Sequence, residues 1–239
     1  MIFSAKNMDH RALNQVIQAT DGSIHIDDCC GQRFICSGSK GKTLMINGSP
    51  GNALGCYLDG GTITVNGNAQ DAVGDTMNDG RIIIHGNAGD ALGYAMRGGD
   101  IFVRGNAGYR TGIHMKQYKD KKPSIVIGGR VGSFLGEYLA GGLIVVLGLG
   151  ADTLPIVGNF TGTGMHGGRI FIRTKNALAH LPPQVSQAQA TAEDLVEIKP
   201  LLTEFSEYFG EDADTLLDDT FFVLSPNAKN PYTQLYTAN

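Results

Sequence analysis

Short segments of alternating apolar and polar residues recur along most of the chain, and their apolar positions are rich in Ile and Val. Period-two alternation with β-branched residues predicts half-buried β-strands. Each segment leads into Gly-Asn-Ala or a variant of it, then into x-x-Ala-apolar-Gly, and then into Met or Leu with a glycine pair. Eight segments begin near Ile24, Leu44, Ile63, Ile82, Ile101, Ile125, Ile144 and Ile170. They enclose seven repeat units.

Glycine follows the same spacing of 19 residues. Of the 34 glycines, 29 lie between residues 44 and 173. Two columns are the candidate structural corners: Gly48, Gly67, Gly86, Gly105 and Gly55, Gly74, Gly93, Gly112. A fixed period of this length is typical of a solenoid. The unit leaves no room for a helix, so the repeat predicts an all-β fold. We expect a parallel β-helix of about seven coils, with two short strands per coil and glycine corners.

Two of the predicted coils are longer than the rest. The starts at Ile101 and Ile125 are 24 residues apart, which places about five extra residues around 116–122; the second insertion, of about seven residues, falls near 149–155. Insertions in a solenoid form surface loops, where partners usually bind. The first insertion is the most basic stretch of the chain and contains Lys116, Lys119, Lys121 and Lys122. It is a candidate contact loop for an acidic partner or an anionic tunnel mouth; the alternative is a solvated loop.

The segments on either side of the repeats have other patterns. Residues 1–21 are predicted to form an N-terminal helical cap. It contains a helix over residues 7–19, with Asn7 or Asp9 as the N-cap. Such a cap is expected because the first coil of a solenoid exposes unpaired backbone. Residues 22–174 are the predicted β-helix, and 175–239 a C-terminal helical and irregular extension.

Within the C-terminal extension, apolar spacing predicts a helix that begins with a capping pattern near Thr191 and ends at Gly210. Pro200 is expected to kink or restart this helix. A short helix over 214–218 and a strand-like segment over 221–224 follow. The tail to residue 239 either caps the far end of the solenoid or lies on a partner.

Composition narrows the class of protein. An apolar content of 42% is enough for a core, and no apolar stretch is long enough for a membrane helix or a signal-peptide core. A net charge of −4 argues against binding driven by nucleic-acid phosphates. The four cysteines are too few for a secreted disulfide scaffold: Cys29, Cys30, Cys36 and Cys56. We therefore expect a cytoplasmic protein.

Two glycine motifs resemble nucleotide-binding loops, but their context favours solenoid corners. Residues 36–43 read CSGSKGKT, with Cys36 where a phosphate loop needs its first glycine, and a strand follows where that loop needs a helix. Residues 162–167 match the dinucleotide fingerprint by letter but lead into a predicted strand.

No catalytic or metal-binding constellation emerges from the residues. The cysteines lack paired zinc spacings, and His85, His114 and His166 have no neighbouring ligand. Glu137 and Asp152 are isolated carboxylates without an aromatic stripe, and no Gly-x-Ser-x-Gly elbow occurs. The residues therefore favour a rigid scaffold that positions chemistry done by partners, with an independent hydrolase acting in a β-helix groove as the alternative.

Three stretches resemble a known family: GQRFICSG (31–38), residues 108–149 from GYRTGIHMK to GLIVVLGL, and GTGMHGGRIFIR (162–173). They are similar to the glycine-patterned C-terminal domain of the glutamate synthase large subunit, which also occurs in a subunit of formylmethanofuran dehydrogenase. KPLLTEFSEYFG (199–210) and NPYTQLY (230–236) resemble its stand-alone form. The resemblance implies a right-handed β-helix that supports catalytic domains without doing chemistry itself.

In that family, an amidotransferase releases ammonia from glutamine, and a flavin and iron–sulfur domain uses it to convert 2-oxoglutarate to glutamate. The nucleophilic N-terminal Cys and the cluster ligands have no counterpart here. The resemblance thus implies a structural subunit without a cofactor of its own, with FMN and an iron–sulfur cluster in amidotransferase and synthase partners. Self-association of the isolated chain is also plausible. The alternative is a scaffold in a formylmethanofuran dehydrogenase, formyltransferase/hydrolase or N-methylglutamate synthase complex.

Overall fold

Eleven strands and three helices make up the part of the chain that this computed structural model describes, residues 1–151 and 154–227. The strands are β1 (Ile2–Ser4), β2 (Ser23–Cys30), β3 (Lys42–Ser49), β4 (Asp59–Asn66), β5 (Asp79–Ile84), β6 (Asp100–Val103), β7 (Ser124–Ile127), β8 (Ala140–Val146), β9 (Gly167–Arg173), β10 (Val185–Gln189) and β11 (Phe221–Pro226). The helices are α1 (His10–Ala19), α2 (Ala192–Phe209) and α3 (Ala213–Leu217).

Strands β1 to β9 form one parallel sheet in chain order, each strand paired with the next. The eight predicted strand starts are aligned residue for residue, from Ile24 opposite Leu44 to Ile144 opposite Ile170. The predicted parallel β-helix is confirmed. We number its coils one to seven from the start at Ile24.

The bore of the solenoid is filled by the inward side chains of these strands. All eight aligned residues are at most 1% exposed, and so are the inward residues two positions later, such as Ile26 and Val65. Met77, Met96 and Met115 are fully buried in the same core cluster. The packed bore fixes the register, because a one-residue slip would turn the apolar column outward.

Two strands per coil were predicted, but one strand per coil forms in the described residues. A second column has only isolated parallel bridges, such as Ala69–Ala88 and Val131–Val157, and the segment after it has another backbone conformation. In coil two, φ is positive at Ala53 (63°), Gly55 (64°) and Tyr57 (56°), but not at the two residues between them. Glycine at the centre permits this alternation. The amides of Ala53 and Tyr57 donate to the next coil, whereas Gly55 donates to the previous coil. We call these five-residue segments left-handed runs; they span 34–38, 53–57, 72–76, 91–95, 110–114, 134–138 and 160–164.

The N-terminal flank contains a strand as well as the predicted helix. Helix α1 begins later than predicted, because Asp9 caps it by accepting from the amides of Arg11 and Ala12. Leu13 and Ile17 of α1 are fully buried in the same cluster as the bore. Strand β1, which the sequence did not predict, extends the sheet beside β2.

The C-terminal flank returns to the same sheet. Strand β11 pairs antiparallel with β9, and β10, which was not predicted, pairs with β11. Helix α2 runs through Pro200 without restarting. Proline frees the carbonyl four residues earlier, that of Val196, and this residue is 70% exposed, so water can satisfy the freed group. Residues 228–239, including most of the predicted tail, lie outside the described residues.

Helix α2 covers the outer face of the later coils. Ile198, Leu202 and Phe205 of the helix are fully buried in a second apolar cluster. The outward residues Phe102, Val126, Val145 and Phe171 complete this cluster. Strands β6 and β7 are therefore buried on both faces, which explains their nearly continuous apolar sequences.

Candidate functional site

The basic insertion of coil five is tied back to the protein by two of its four lysines. Lys121 Nζ donates to Asp79 Oδ2 at 2.8 Å and to the carbonyl of Asn78 at 3.1 Å. The hydrogen bond between the charged groups raises the pKa of Lys121 and lowers the pKa of Asp79. Lys121 thus fixes the insertion against the solenoid.

Lys122 connects the insertion to helix α2. It pairs with Glu197, which also pairs with Arg169 of β9. Burial raises the pKa of Glu197, but the opposing effects of Lys122 and Arg169 are larger, and the pKa falls below its usual value. Arg169 also pairs with Asp194, the residue that completes the α2 capping box. The insertion, β9 and the start of α2 therefore form one ion-pair network.

The other two lysines of the insertion are available to a partner. Lys116 and Lys119 are exposed, and the described residues provide no ion-pair partner for either. Lys119 Nζ lies 5.4 Å from the Tyr118 ring centre. Arg97, one coil before Lys116 at the same corner, is exposed too. The predicted contact role of this loop therefore depends on Lys116 and Lys119.

The two predicted glycine columns occupy different environments. In the column of Gly48, Gly67, Gly86 and Gly105, backbone from the preceding coil lies against each glycine; a Cβ on Gly67 would lie 2.2 Å from the Gly48 carbonyl oxygen. The column of Gly55, Gly74, Gly93 and Gly112 forms the centres of left-handed runs. A Cβ on Gly112 would lie 2.4 Å from Ile144 Cδ1 in the bore.

The outer surface of the left-handed runs, which we call the left-handed face, carries stacked aromatic rings. Phe134 stacks on Phe160 with 5.0 Å between ring centres, and the Arg110 guanidinium lies 5.0 Å from the centre of Phe134. Arg110 Nε also donates to Glu137 Oε2 at 3.0 Å. Phe160 is 57% exposed.

A second stack runs beside the first. His114 stacks on Tyr138 at 5.0 Å and meets Tyr94 edge-on at 5.9 Å. Sequence reasoning missed this surface, although the signal was present: residues 110, 134 and 160 belong to one repeat column, displaced by the two insertions.

The three histidines singled out in the sequence have separate surroundings. His85 meets Phe209 of α2 edge-on at 5.2 Å, His114 lies in the aromatic stack, and His166 Nδ1 lies 3.2 Å from the Gly164 carbonyl. No group of three or more His, Cys, Asp or Glu suited to a metal ion occurs among the described residues.

The cysteines are free thiols, and three of them are buried. Burial raises the pKa of Cys29 to about 11, and it also raises the pKa of Cys36 and Cys56. These thiols stay protonated at neutral pH and are poor nucleophiles. Cys36 belongs to the first left-handed run, with φ 61°, so the phosphate-loop-like stretch begins as a solenoid corner.

The remaining sequence candidates are placed as follows. Gly162 and Gly164 of the dinucleotide-like motif have φ of 74° and 71° in the last left-handed run, which leads into β9. Glu137 pairs with Arg110. Asp152 lies outside the described residues, as does part of the second insertion. No helix in the described ranges is long and apolar enough to cross a membrane.

Comparisons with known proteins agree with this architecture. The chain is 43% identical over 251 aligned positions to an uncharacterized protein of Methanocaldococcus jannaschii, covering 99% of this chain and 96% of that protein. The fold of the present chain is similar to that of a chain in the crystal structure of the formyltransferase/hydrolase complex from Methylorubrum extorquens in complex with methylofuran. That similarity has a TM-score of 0.65 and 19% identity, and covers 91% of this chain and 87% of the other.

The glycine pattern itself identifies the family. Residues 10–226 match the GXGXG motif family, a span that includes α1, every coil and the C-terminal strands. The matched region is nearly the whole described chain. The chain therefore belongs to the GXGXG motif family.

Proposed function

We propose that the chain is a non-catalytic structural subunit of a glutamate-synthase-like oxidoreductase complex. In this role it holds an amidotransferase subunit and a flavin and iron–sulfur synthase subunit in fixed relative positions. FMN and the iron–sulfur cluster belong to those partners, and the complex works in the cytoplasm.

The observation that carries the proposal is the continuous parallel pairing of strands from β2 to β9 around a filled bore. Seven steps at the usual strand spacing make a frame about 34 Å long. Because each coil is hydrogen-bonded and packed to its neighbours, surfaces at the two ends keep a constant separation. Such a frame suits a subunit that positions two active sites.

The comparisons support a subunit role. The formyltransferase/hydrolase complex includes a chain of similar fold, so a β-helix of this kind occurs as one subunit of a larger complex. The resemblance of residues 31–38, 108–149 and 162–173 to the glutamate synthase domain favours glutamate synthesis over the other reactions.

The exposed lysines of the insertion supply a docking point. Lys116 and Lys119 extend from a loop that Lys121 and Lys122 hold in place, so their charges are presented at a fixed position. Positive charges of this kind favour an acidic partner surface and accelerate its association.

Co-expression of the chain with amidotransferase and flavoprotein subunits from the same source tests the proposal. We expect the three to purify as one complex, and glutamine-dependent glutamate formation to need this chain while ammonia-dependent formation by the flavoprotein does not. Unchanged glutamine-dependent activity without the chain would overturn the role.

The formyltransferase/hydrolase comparison favours a second candidate, a scaffold in a complex of that kind. Affinity purification of the chain from native extract separates the two. Recovery with formyltransferase and hydrolase subunits, and not with an amidotransferase and a flavoprotein, supports the second candidate.

A further inference from the structure

The left-handed face changes from small to large side chains in one of its columns. Its first column, one residue per run, places small side chains in coils two to four and large ones in coils five to seven. In coil order the column consists of Phe34, Ala53, Ala72, Ala91, Arg110, Phe134 and Phe160. Within this column, the large side chains of coils five to seven therefore follow three alanines, while exposed Tyr57 and Tyr94 lie in the neighbouring columns of coils two and four.

The large residues are held in an unfavourable conformation while exposed to solvent. Phe34, Phe134 and Phe160 have φ of 56°, 64° and 62°, where bulky side chains are rare. Phe34 is 46% exposed and Phe160 57% exposed, so burial within the described fold does not explain their presence. Strain of this kind is characteristic of functional surfaces.

Charge is divided along the face as well. Coil three carries Asp71 and Asp75, whereas coil five carries Arg110 and leads into Lys116. Neither aspartate forms an ion pair within the described residues, and Arg110 pairs only with Glu137 there. The coils on either side of coil four thus have opposite charge.

We propose that this face joins two copies of the chain in an antiparallel dimer. A twofold axis at coil four places coils five to seven of each copy on coils three to one of the other. Phe134 then lies over Ala53, Arg110 lies over Ala72 beside Asp75, and Phe160 meets Phe34. Such a contact is isologous and buries aromatic and Arg anchors, the residues that dominate interface energies.

Sedimentation equilibrium of the full chain tests the dimer, which does not depend on the proposed scaffold role. The double variant Phe134→Gly, Phe160→Gly removes both rings at positions where glycine suits the backbone, so the fold is retained. We expect Kd for dimerisation to rise at least about a hundredfold. The control Met45→Ser removes an exposed apolar side chain from the outer face of β3 and leaves Kd unchanged.

A cross-link tests the arrangement. Tyr94, in coil four, lies near its own copy across the axis, so Tyr94→Cys in a Cys30→Ser background forms an intermolecular disulfide on oxidation. Tyr57→Cys is the matched control on the same face: its two copies are four coil spacings apart, about 19 Å. Three results would overturn the proposal: a chain that stays monomeric at all concentrations, a dimer unaffected by the Phe variants, or equal cross-linking at position 57. The first of these would assign the face to another occupant.

Discussion

A Cβ atom on Gly67 would lie 2.2 Å from the carbonyl oxygen of Gly48, the equivalent residue one coil earlier. Carbon–oxygen contacts between neighbouring strands normally measure about 3.3 Å or more. At this corner the coils approach each other only because the side chain is absent. Gly67 is therefore required for contact between coils, whereas Gly112 adopts a left-handed conformation, with φ 71°.

Gly67→Ala is expected to destabilise the protein by about 3 kcal/mol, the upper end for overpacking, because backbone must move to admit the methyl group. Gly38→Ala is the matched control: φ is 63°, but a Cβ there meets nothing within 4 Å. Its cost is limited to the left-handed conformation, about 1 kcal/mol. Urea unfolding measures both variants. Equal losses would show that the coils admit the methyl group at little cost, and that contact between coils does not determine the need for glycine at position 67.

The sequence repeat made the coils predictable, but it did not predict the left-handed runs. Periodic Ile and Val positions defined every strand start, because an inward column must align to fill the bore. The runs were taken for strands, since glycine spacing alone does not distinguish an extended corner from alternating positive φ. Residues such as Thr76 and Tyr57 gave no local indication, because they adopt φ of 52° and 56° only when neighbouring coils bond their amides.

The candidate surfaces depended on tertiary contacts that sequence does not show. Lys121 and Lys122 were equivalent to Lys116 and Lys119 as members of a basic stretch. The structure separates them because Asp79 and Glu197, distant in sequence, lie beside the insertion. The aromatic stacks were hidden for the same reason: two insertions displaced Phe134 and Phe160 from the 19-residue spacing.

Phe205→Ala is expected to detach α2 from the outer sheet face. The ring is fully buried, lies 4.7 Å from that of Phe209, and packs over Gly128, where a Cβ would come within 2.9 Å of its Cζ. Loss of a buried Phe costs about 3–5 kcal/mol. Hydrogen exchange over 192–209 should accelerate by at least a hundredfold. Val196→Ala, on the exposed side of the same helix, should leave exchange nearly unchanged or slightly slower, because alanine has the higher helix propensity. Comparable acceleration there would mean that burial against the sheet is not what holds α2.

The double variant Lys116→Glu, Lys119→Glu is expected to slow association with the proposed partner subunits about tenfold at low salt, because the charges steer the encounter. The difference should shrink as salt screens exposed charges. Lys175→Glu makes the same kind of change at another exposed position and should have little effect. Association kinetics at two ionic strengths measure this. A salt-independent loss would contradict electrostatic docking and indicate a local structural change.

Acid is expected to weaken the α2 network. The pKa of Asp194 is lowered by the Thr191 amide and then by Arg169, and the pKa of Glu197 is lowered by Lys122 and Arg169 against the effect of burial. Carboxyls with lowered folded-state pKa values contribute stability above their unfolded values, near 4, and lose it as pH falls through the folded values. Asp100 acts in the opposite direction. Burial raises the pKa of its carboxyl, so the charged form lowers the stability of the fold at neutral pH, and protonation on mild acidification removes that cost.

The free energy of unfolding should therefore rise slightly on mild acidification and then fall steeply, and two variants separate these contributions. Glu197→Gln should lower stability at neutral pH and reduce the steep loss, because the titrating group is gone while the amide keeps its size. Asp100→Asn should remove the slight rise and leave the steep loss in place. Urea unfolding from neutral pH into the acid range measures both. If Glu197→Gln retains the full acid loss, carboxyls outside this network control the acid sensitivity of the fold.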